Sequence, residues 1–168
     1  MKRNLLFILV ALLPVVASAY DAKIDGIYYN FSEGNAVVTR NNIDAGSYSG
    51  DVSIPESVTY NGNTYSVTSI DIGAFGYSSK LTSVNIPESV TNIGSSAFVA
   101  CSALISVTIP NGVTSIEKMT FWGCSGLTSV TLPSNLTHIG YLTFAFCITS
   151  CDSTLTIYPY TKIYAPTS

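Results

Sequence analysis

The chain has 168 residues, 47% of them hydrophobic and 10% charged, and its formal net charge is −3 at pH 7. This length predicts a single domain. The acidic balance, together with the absence of any cluster of lysine and arginine, excludes nucleic acid as an expected partner.

The first residues predict a secretory signal peptide over 1–19. Lys2 and Arg3 are followed by an apolar run over 5–16 and then by Ala17-Ser18-Ala19, the order of charged, apolar and small segments that export signals share. The apolar run is shorter than the roughly 20 residues needed to cross a bilayer, so we expect no transmembrane segment after cleavage. The expected location is therefore outside the cytoplasm: secreted, on the cell surface or in the periplasm.

Residues 20–50 predict an N-terminal β-hairpin cap. Two β-rich runs, over 24–29 and 36–39, flank the turn residues Ser32-Glu33-Gly34-Asn35, which is a hairpin pattern. A stack of repeats exposes an apolar end unless another element covers it, and this hairpin directly precedes such a stack. Residues 41–49 are expected to form a polar connection.

Residues 51–147 repeat with a period of 23. Proline recurs at 87, 110 and 133, phenylalanine at 75, 98, 121 and 144, and isoleucine at 70, 93, 116 and 139. A fixed period of this size predicts a solenoid of stacked coils rather than a globular core, here of about four coils. Extra residues in the first coil fall within 58–67 around Asn61-Gly62, a strong hairpin signal, so we expect an inserted hairpin that protrudes from that coil.

Alternation within each coil predicts which side chains face the core. In the coil that begins at Leu104, Val107 and Ile109 should point inward and Ser106 and Thr108 outward, because successive side chains of a strand lie on opposite faces. Proline then ends the strand, since it has no N–H to donate. Further inward positions of the same coil are Val113, Ile116, Phe121 and Cys124.

Three cysteines, at 101, 124 and 147, hold the same place in successive coils. Neighbouring coils lie about 4.8 Å apart, a separation that permits a disulfide, but parallel side chains that point the same way fit the disulfide dihedral angle poorly. We therefore expect a column of free, buried thiols that behave as small apolar residues. Whether Cys147 pairs with Cys151 stays open.

The repeat loses its register after Cys147. Residues 155–159 are expected to form a shifted last strand, and 148–168 to form a C-terminal cap, because the last repeat of a solenoid is commonly atypical. This segment carries three aromatic residues, Tyr158, Tyr160 and Tyr164.

The repeat motif, L-x-x-V-x-I-P-x-x-V-x-x-I-G-x-x-A-F-x-x-C, is that of residues 81–101, and seven or more of its positions agree in register over the three copies at 81–101, 104–124 and 127–147. It resembles the BspA-type leucine-rich repeat, also called the Treponema pallidum type. Residues 25–29 and 58–70 look like the opening of exported Bacteroidetes members. The resemblance implies a mainly-β, right-handed solenoid with parallel strands on its concave side. It also implies a cell-surface or secreted binding protein, of the kind discussed as adhesins for host matrix proteins.

No set of residues predicts catalysis, a cofactor site or a metal site. The single histidine, His138, takes the place of Ser115 and Asn92 in other coils, so we expect a solvated surface residue. A nucleophile needs a base and an orienting partner beside it, and no such pair converges on His138. The repeated cysteines are 23 residues apart and face the core, which does not match the spacing of a zinc site.

Two sets of outward residues are candidate partner-binding sites. The first is a ladder of hydroxyl groups on the concave strands, formed by Ser106, Thr108, Ser129 and Thr131. The second lies on the turns, where Ser95, Ser96 and Val99 of one coil become Lys118, Met119 and Trp122 in the next and Tyr141, Leu142 and Ala145 in the one after. Because these positions vary, they should be exposed. The large turn residues are Met119, Trp122, Tyr141 and Leu142.

Two functions remain open. One is an exported, non-catalytic, adhesin-like protein that binds a protein or glycan partner, such as a host matrix protein, through its solenoid surfaces, with Trp122 as the most accessible anchor. The other is a structural envelope protein that assembles with copies of itself and has no host ligand. For the turns, the competing interpretation is that Tyr141 and Leu142 pack beneath the tail that carries Tyr158. The sequence predicts no oligomeric state.

Overall fold

The computed structural model describes residues 20–41 and 46–147 and, for the backbone alone, 156–159. Every regular element in these residues is a β-strand, and the described part of the chain contains no helix that could span a membrane. The strands are β1 (Ala22–Ile24), β2 (Ile27–Ser32), β3 (Asn35–Thr39), β4 (Ser49–Ser53), β5 (Ser57–Tyr60), β6 (Asn63–Ile70), β7 (Lys80–Asn85), β8 (Asn92–Ile93), β9 (Ser106–Thr108), β10 (Ser115–Ile116), β11 (Ser129–Leu132), β12 (His138–Ile139) and β13 (Thr156–Pro159).

The N-terminal strands form one sheet with the hairpin of the first coil. β1 pairs antiparallel with β2 and β2 with β3, whereas β3 pairs in parallel with β6. β5 and β6 are antiparallel and meet at Asn61 and Gly62, whose φ angles of 49° and 78° are both in the left-handed region that tight hairpin turns require. The resulting order is β1-β2-β3-β6-β5.

The inserted hairpin expected within 58–67 is formed by β5 and β6, and it packs against the N-terminal sheet, a contact that the sequence did not predict. Besides the pairing of β3 with β6, the ring of Phe31 stacks on that of Tyr60 with centroids 4.5 Å apart. The same ring lies 4.6 Å from that of Tyr65. These contacts join residues far apart in the chain, so the local turn signal could not report them.

From β4 onward the chain repeats one path: a first strand, a short second strand and a tight turn. The first strands pair in parallel, β4 with β7 and β9 with β11, and so do the second strands, β6 with β8 and β10 with β12. Ser129 lies opposite Ser106, and Ile139 lies opposite Ile116. Paired residues are thus 23 positions apart, which is the period of the sequence. The predicted mainly-β solenoid with parallel strands is confirmed.

The inward and outward positions are also as predicted. Val107 and Ile109 are 4% and 2% exposed, whereas Ser106 and Thr108 lie at the surface. No coil could bury its inward side chains alone; each coil forms a wall of the core of its neighbour. The columns of fully buried residues include Ile70, Ile93 and Ile116, and also Phe75, Phe98 and Phe121.

Backbone hydrogen bonds join the tight turns of successive coils into what we call the turn ladder, made of residues 73–77, 96–100, 119–123 and 142–146. In each of the first three turns, the third and fifth N–H groups donate to carbonyls of the next turn, and the first donates to the carbonyl of the residue just before that turn. From Ser96, Phe98 and Ala100 these bonds measure 3.1, 2.9 and 2.7 Å. The first and fifth residues of all four turns have positive φ, from 55° to 73°, the left-handed conformation that reverses the chain within a few residues.

A column of stacked rings runs through the turn ladder and is closed at its N-terminal end by Tyr48. The rings of Phe75, Phe98, Phe121 and Phe144 stack at centroid distances of 5.0, 5.3 and 5.6 Å. Tyr48 lies 4.5 Å from Phe75 and is buried. Residues 46–49 are thus more than part of the polar connection expected over 41–49. Tyr48 is 27 residues before Phe75, so the period of 23 does not identify it as a member of the column.

The cysteine column is buried as predicted. Cys101, Cys124 and Cys147 are free thiols, and each one donates a hydrogen bond to a carbonyl of the preceding coil. The acceptors are the carbonyls of Phe75, Phe98 and Phe121, at 3.1, 3.0 and 3.1 Å.

The first-strand sheet continues to β13, which pairs in parallel with β11 so that Pro159 lies opposite Leu132. This is the shifted last strand expected at 155–159. Cys151, the remainder of 148–168 and the signal peptide over 1–19 lie outside the described residues, and so do the side chains of Tyr158, Tyr160 and Tyr164.

Candidate binding surface on the turn ladder

The large turn residues lie on the outer side of the last two described turns. Tyr141 and Leu142 are 64% and 46% exposed, whereas Met119 and Trp122 are half-buried. Trp122 is therefore not the most accessible of the four, contrary to the expectation from the sequence. The four residues are therefore neighbours on one edge of the solenoid. The tail beneath which Tyr141 and Leu142 could alternatively pack lies outside the described residues.

Phe146 belongs to the same surface and was not singled out from the sequence. Its side chain is 69% exposed, and its ring meets that of Trp122 edge-on, with centroids 5.4 Å apart. The signal was present in the next column of the repeat alignment, where Phe146 takes the place of Ala100 and Gly123. We call Met119, Trp122, Tyr141, Leu142 and Phe146 the apolar turn surface.

One turn position predicted to be exposed is not. Val99, the equivalent of Trp122, is only 7% exposed. A Cβ atom at Gly76 in the preceding turn would lie 3.0 Å from Cγ1 of Val99. Because glycine has no side chain, it leaves the space in which Val99 packs, and the variability of this column therefore did not mean exposure.

Three members of the apolar turn surface adopt a left-handed backbone conformation. The φ angles of Met119, Leu142 and Phe146 are 57°, 55° and 59°, which costs a residue with a side chain roughly 1–2 kcal/mol relative to the right-handed region. Glycine occupies the equivalent places in other turns, at Gly73 and Gly123. Glycine would therefore be less strained than the residues found at these three positions.

The hydroxyl residues form a second, separate surface on the first strands. Ser129 lies opposite Ser106, and Thr131 lies opposite Thr108, so the predicted ladder is in register; Ser106 and Thr108 are exposed and the other two are half-buried. Towards the N-terminal end the ladder continues to Asp51, whose carboxylate accepts hydrogen bonds from Ser83 at 2.7 Å and from Thr82 at 2.8 Å. These bonds hold the pKa of Asp51 below its usual value.

The described residues contain no group of histidine, cysteine and carboxylate side chains that could hold a metal ion. His138 is exposed. A shallow cavity of about 260 Å³ lies at the N-terminal end between β4 and the β1–β2 turn. Its polar lining includes Asp25 and Asp51, both of them at the surface.

Comparison with known proteins agrees with this architecture. The family model of the BspA type leucine rich repeat region matches residues 41–163 in 6 copies, whereas no curated protein matches the chain. A leucine-rich repeat protein from Bacteroides ovatus is similar to 76% of the chain at 40% identity with a TM-score of 0.70. The match spans only 33% of that protein's own length.

Two further solved structures share the fold. A leucine-rich repeat protein from Bacteroides capillosus is 26% identical over 83% of this chain and 98% of its own, with a TM-score of 0.69. The leucine rich repeat protein of T. pallidum is 20% identical over 76% of this chain and 67% of its own, with a TM-score of 0.56, and shows a likeness of fold alone. With its repeated strands, its register and its match to the family model, the chain belongs to the BspA type leucine rich repeat family.

Proposed function

We propose that this protein is an exported, non-catalytic binding protein that engages a macromolecular partner through the apolar turn surface. The observation that carries the proposal is the combination of exposure and strain at Leu142 and Phe146. Both side chains are large, apolar and open to solvent, and both occupy left-handed positions where glycine would serve the fold. Strained residues whose side chains do not contribute to the core are found preferentially where a protein binds or switches.

The composition of the surface supports a contact role. Tryptophan and tyrosine, here Trp122 and Tyr141, are the residues most often found as anchors of interfaces, and contiguous exposed apolar side chains mark contact sites on soluble proteins. The turn of the last described coil, residues 140–147, contains no charged residue. Recognition would therefore depend on shape and desolvation rather than on long-range electrostatic attraction.

Trp122 offers a direct test, because it is the only tryptophan of the chain. Its fluorescence should change when the protein is titrated with the matching member of a panel of purified matrix glycoproteins and neutral polysaccharides. The variant Trp122→Ala should weaken that binding by about 2 kcal/mol, the usual threshold for an interface anchor. Tyr77→Ala is the matched control, since Tyr77 is an exposed aromatic residue in the first turn, far from this surface.

The opposite pattern would count against the proposal. If Trp122→Ala lowers the free energy of unfolding but leaves the affinity per folded molecule unchanged, the apolar turn surface stabilises the last coils and does not bind a partner. Export is tested separately, by digesting intact cells with a protease that cannot enter them. Loss of the protein indicates display at the surface, whereas protection in intact cells but not after opening of the outer envelope indicates the periplasm.

A further inference from the structure

The described residues carry four sulfur atoms, and only one of them reaches solvent. Three are the thiols of the cysteine column, which are fully or almost fully buried and donate hydrogen bonds to backbone carbonyls. The fourth is the thioether of Met119, whose side chain is only half-buried. Besides Met1, Met119 is the only methionine of the sequence. An oxidant that arrives from solvent therefore meets this thioether before any thiol of the column.

The buried thiols are protected by their ionisation as well as by their position. The thiolate, not the thiol, is the form of cysteine that attacks an oxidant. Burial, followed by the neighbouring Cys124, raises the pKa of Cys147 to about 11, and the hydrogen bond with Cys101 and burial raise the pKa of Cys124. A thioether has no proton to lose, so its reactivity does not depend on such an ionisation. At neutral pH the chemical difference between these groups again favours Met119.

The fold does not need a methionine at this place. Met119 is the first residue of its turn, and the same position is held by Gly73, Ser96 and Leu142 in the other turns. Its φ of 57° is unfavourable for any residue with a side chain. Of the residues that adjoin it in this column, Ser96 is short and Leu142 is itself 46% exposed, which leaves the thioether accessible to a small molecule.

Met119 is also bonded directly to both aromatic anchors of the apolar turn surface. Its carbonyl accepts a hydrogen bond from the N–H of Trp122 at 3.1 Å, and its own N–H donates to the carbonyl of Tyr141 at 3.1 Å. The sulfur therefore belongs to the part of the surface that carries the tryptophan and the tyrosine. A change in its polarity would alter the surface where a partner has most to gain from apolar contact.

From these observations we infer that Met119 is an oxidation site, at which a peroxide converts the apolar turn surface into a polar form. A lone pair of the sulfur attacks one peroxide oxygen, so that an S–O bond forms as the O–O bond breaks. The proton of the transferred oxygen passes to the leaving oxygen, which departs as water or an alcohol. The sulfur loses two electrons and the peroxide gains them, and the product is methionine sulfoxide.

The sulfoxide gives the modification a consequence for binding. Its oxygen is a polar acceptor, and a partner that covers it without donating a hydrogen bond has to remove its water at a cost in affinity. Specific reductases return methionine sulfoxide to methionine, so the change is reversible. The inference deepens the proposed function, on which its effect on binding rests, by making the apolar turn surface sensitive to oxidants.

The site of oxidation is tested first, on the purified exported chain. The protein is treated with hydrogen peroxide at neutral pH, and the masses of its proteolytic peptides locate the oxygen. One oxygen should appear at Met119, while the thiols of the cysteine column should still react with a thiol reagent once the chain is unfolded. The rate at Met119 should be the same at neutral and at mildly alkaline pH, because no ionisation controls it.

The effect on the surface has two readouts, of which one needs no ligand. Oxidised protein should elute earlier from a hydrophobic-interaction column, and it should bind the panel ligand that depends on Trp122 at least tenfold more weakly than untreated protein. Treatment with methionine sulfoxide reductases should restore both properties. Met119→Leu is the matched control, since it keeps an apolar side chain without sulfur. Treated and untreated samples are compared within each protein, so the effect of the substitution itself cancels.

Three results would overturn the inference. The first is that Met119 of the folded protein is oxidised less than a tenth as fast as in the unfolded chain, which means that the thioether is covered. The second is that the thiols of the cysteine column take up oxygen before Met119. The third is that oxidation of Met119 changes neither the elution nor the affinity for a ligand that depends on Trp122.

The same measurements separate this inference from the proposed function. If no ligand of the panel depends on Trp122, the proposed function fails, and the site of oxidation and the elution still decide whether the surface changes with oxidation. If a ligand depends on Trp122 but Met119 resists peroxide, the proposed function stands and only the sensitivity to oxidants fails.

Discussion

The cysteine thiols act as hydrogen-bond donors between coils. Each one occupies the position after the stacked phenylalanine turn and donates to a phenylalanine carbonyl of the coil before it, which also accepts a hydrogen bond from a backbone N–H. Burial, followed by the neighbouring Cys124, raises the pKa of Cys147 to about 11. The hydrogen bond with Cys101 and burial also raise the pKa of Cys124.

These raised pKa values predict a loss of stability in alkaline solution. In the unfolded chain a thiol ionises with its ordinary pKa of 9.0, whereas the folded chain holds the Cys147 proton to about pH 11. Above pH 9 the unfolded state therefore binds fewer protons than the folded state. The contribution of this thiol to the free energy of unfolding is fully present below pH 9 and is lost as the pH rises towards 11. Denaturant titrations at a series of pH values measure this decline.

Cys147→Ala is the control for the thiol prediction. Its free energy of unfolding should be lower at pH 7, because a buried group is lost, but it should decline less between pH 9 and 11. An equal decline in the parent and in the variant would mean that Cys147 contributes nothing to the alkaline transition.

The left-handed conformation of Leu142 leads to a second prediction at this scale. Leu142→Gly should be more stable than Leu142→Ala by about 1 kcal/mol, because glycine populates positive φ without a Cβ penalty. Both changes remove the same exposed side chain, so both should weaken a ligand that uses the apolar turn surface. Thermal unfolding of the two variants gives the comparison; an alanine variant as stable as the glycine variant would argue against strain at this position.

At the level of the elements, the periodic part of the fold could be predicted from the sequence and the ends could not. Residues such as Val107 and Phe121 recur at a fixed spacing. Because each coil packs against the next, which has the same pattern of residues, the same inward and outward positions are expected in every inner coil. Tyr48 and Phe31 have no periodic equivalent. Tyr48 meets Phe75 of the first turn, and Phe31 meets Tyr60 and Tyr65 of the inserted hairpin, so both depend on long-range contacts.

The candidate site was predicted in part for the same reason. A position that varies between repeats is exposed only if the neighbouring turn leaves no space to bury its side chain. Gly76 leaves such a space, and Val99 is buried in it. The exposed positions of Tyr141 and Leu142 could be read from the repeat. The edge-on contact of Trp122 with Phe146 could not, because it joins two columns of the alignment.

The N-terminal closure predicts a large effect for a small change at Tyr48. Its hydroxyl donates to the carbonyl of Thr39 at 2.6 Å and accepts from the N–H of Tyr28 at 3.1 Å. Tyr48→Phe keeps the ring on Phe75 but leaves a buried donor and a buried acceptor unpaired, which costs about 1–3 kcal/mol. Tyr77→Phe is the matched control, since Tyr77 is 55% exposed, and it should shift the denaturation midpoint very little. Equal midpoints for the two variants would show that Tyr48 does not close the stack through its hydroxyl.

For the whole molecule, the two ends of the solenoid differ. The N-terminal end is covered by the sheet β1-β2-β3-β6-β5 and by Tyr48, whereas the turn edge at Leu142, Phe144 and Phe146 is open within the described part of the chain. Because end-to-end assembly needs two complementary open ends, we expect the exported protein to sediment as a monomer. A sedimentation coefficient that rises over a hundredfold range of concentration would instead favour the self-assembling alternative.

The regular hydrogen bonding of the turn ladder has a consequence for how such genes change in length. Every inner junction uses the same three donors and acceptors, so a coil can be lost or duplicated without creating a new kind of interface, provided that the change is a whole multiple of the period. The break points are constrained as well. Gly94 is one such point, because a Cβ there would lie 2.7 Å from the backbone nitrogen of Ile72. Removal of residues 95–117 keeps that glycine and joins it directly to Lys118. A deletion one residue shorter would shift the register, so that Thr120, Ser129 and Thr131 would take the core places of Phe121, Val130 and Leu132.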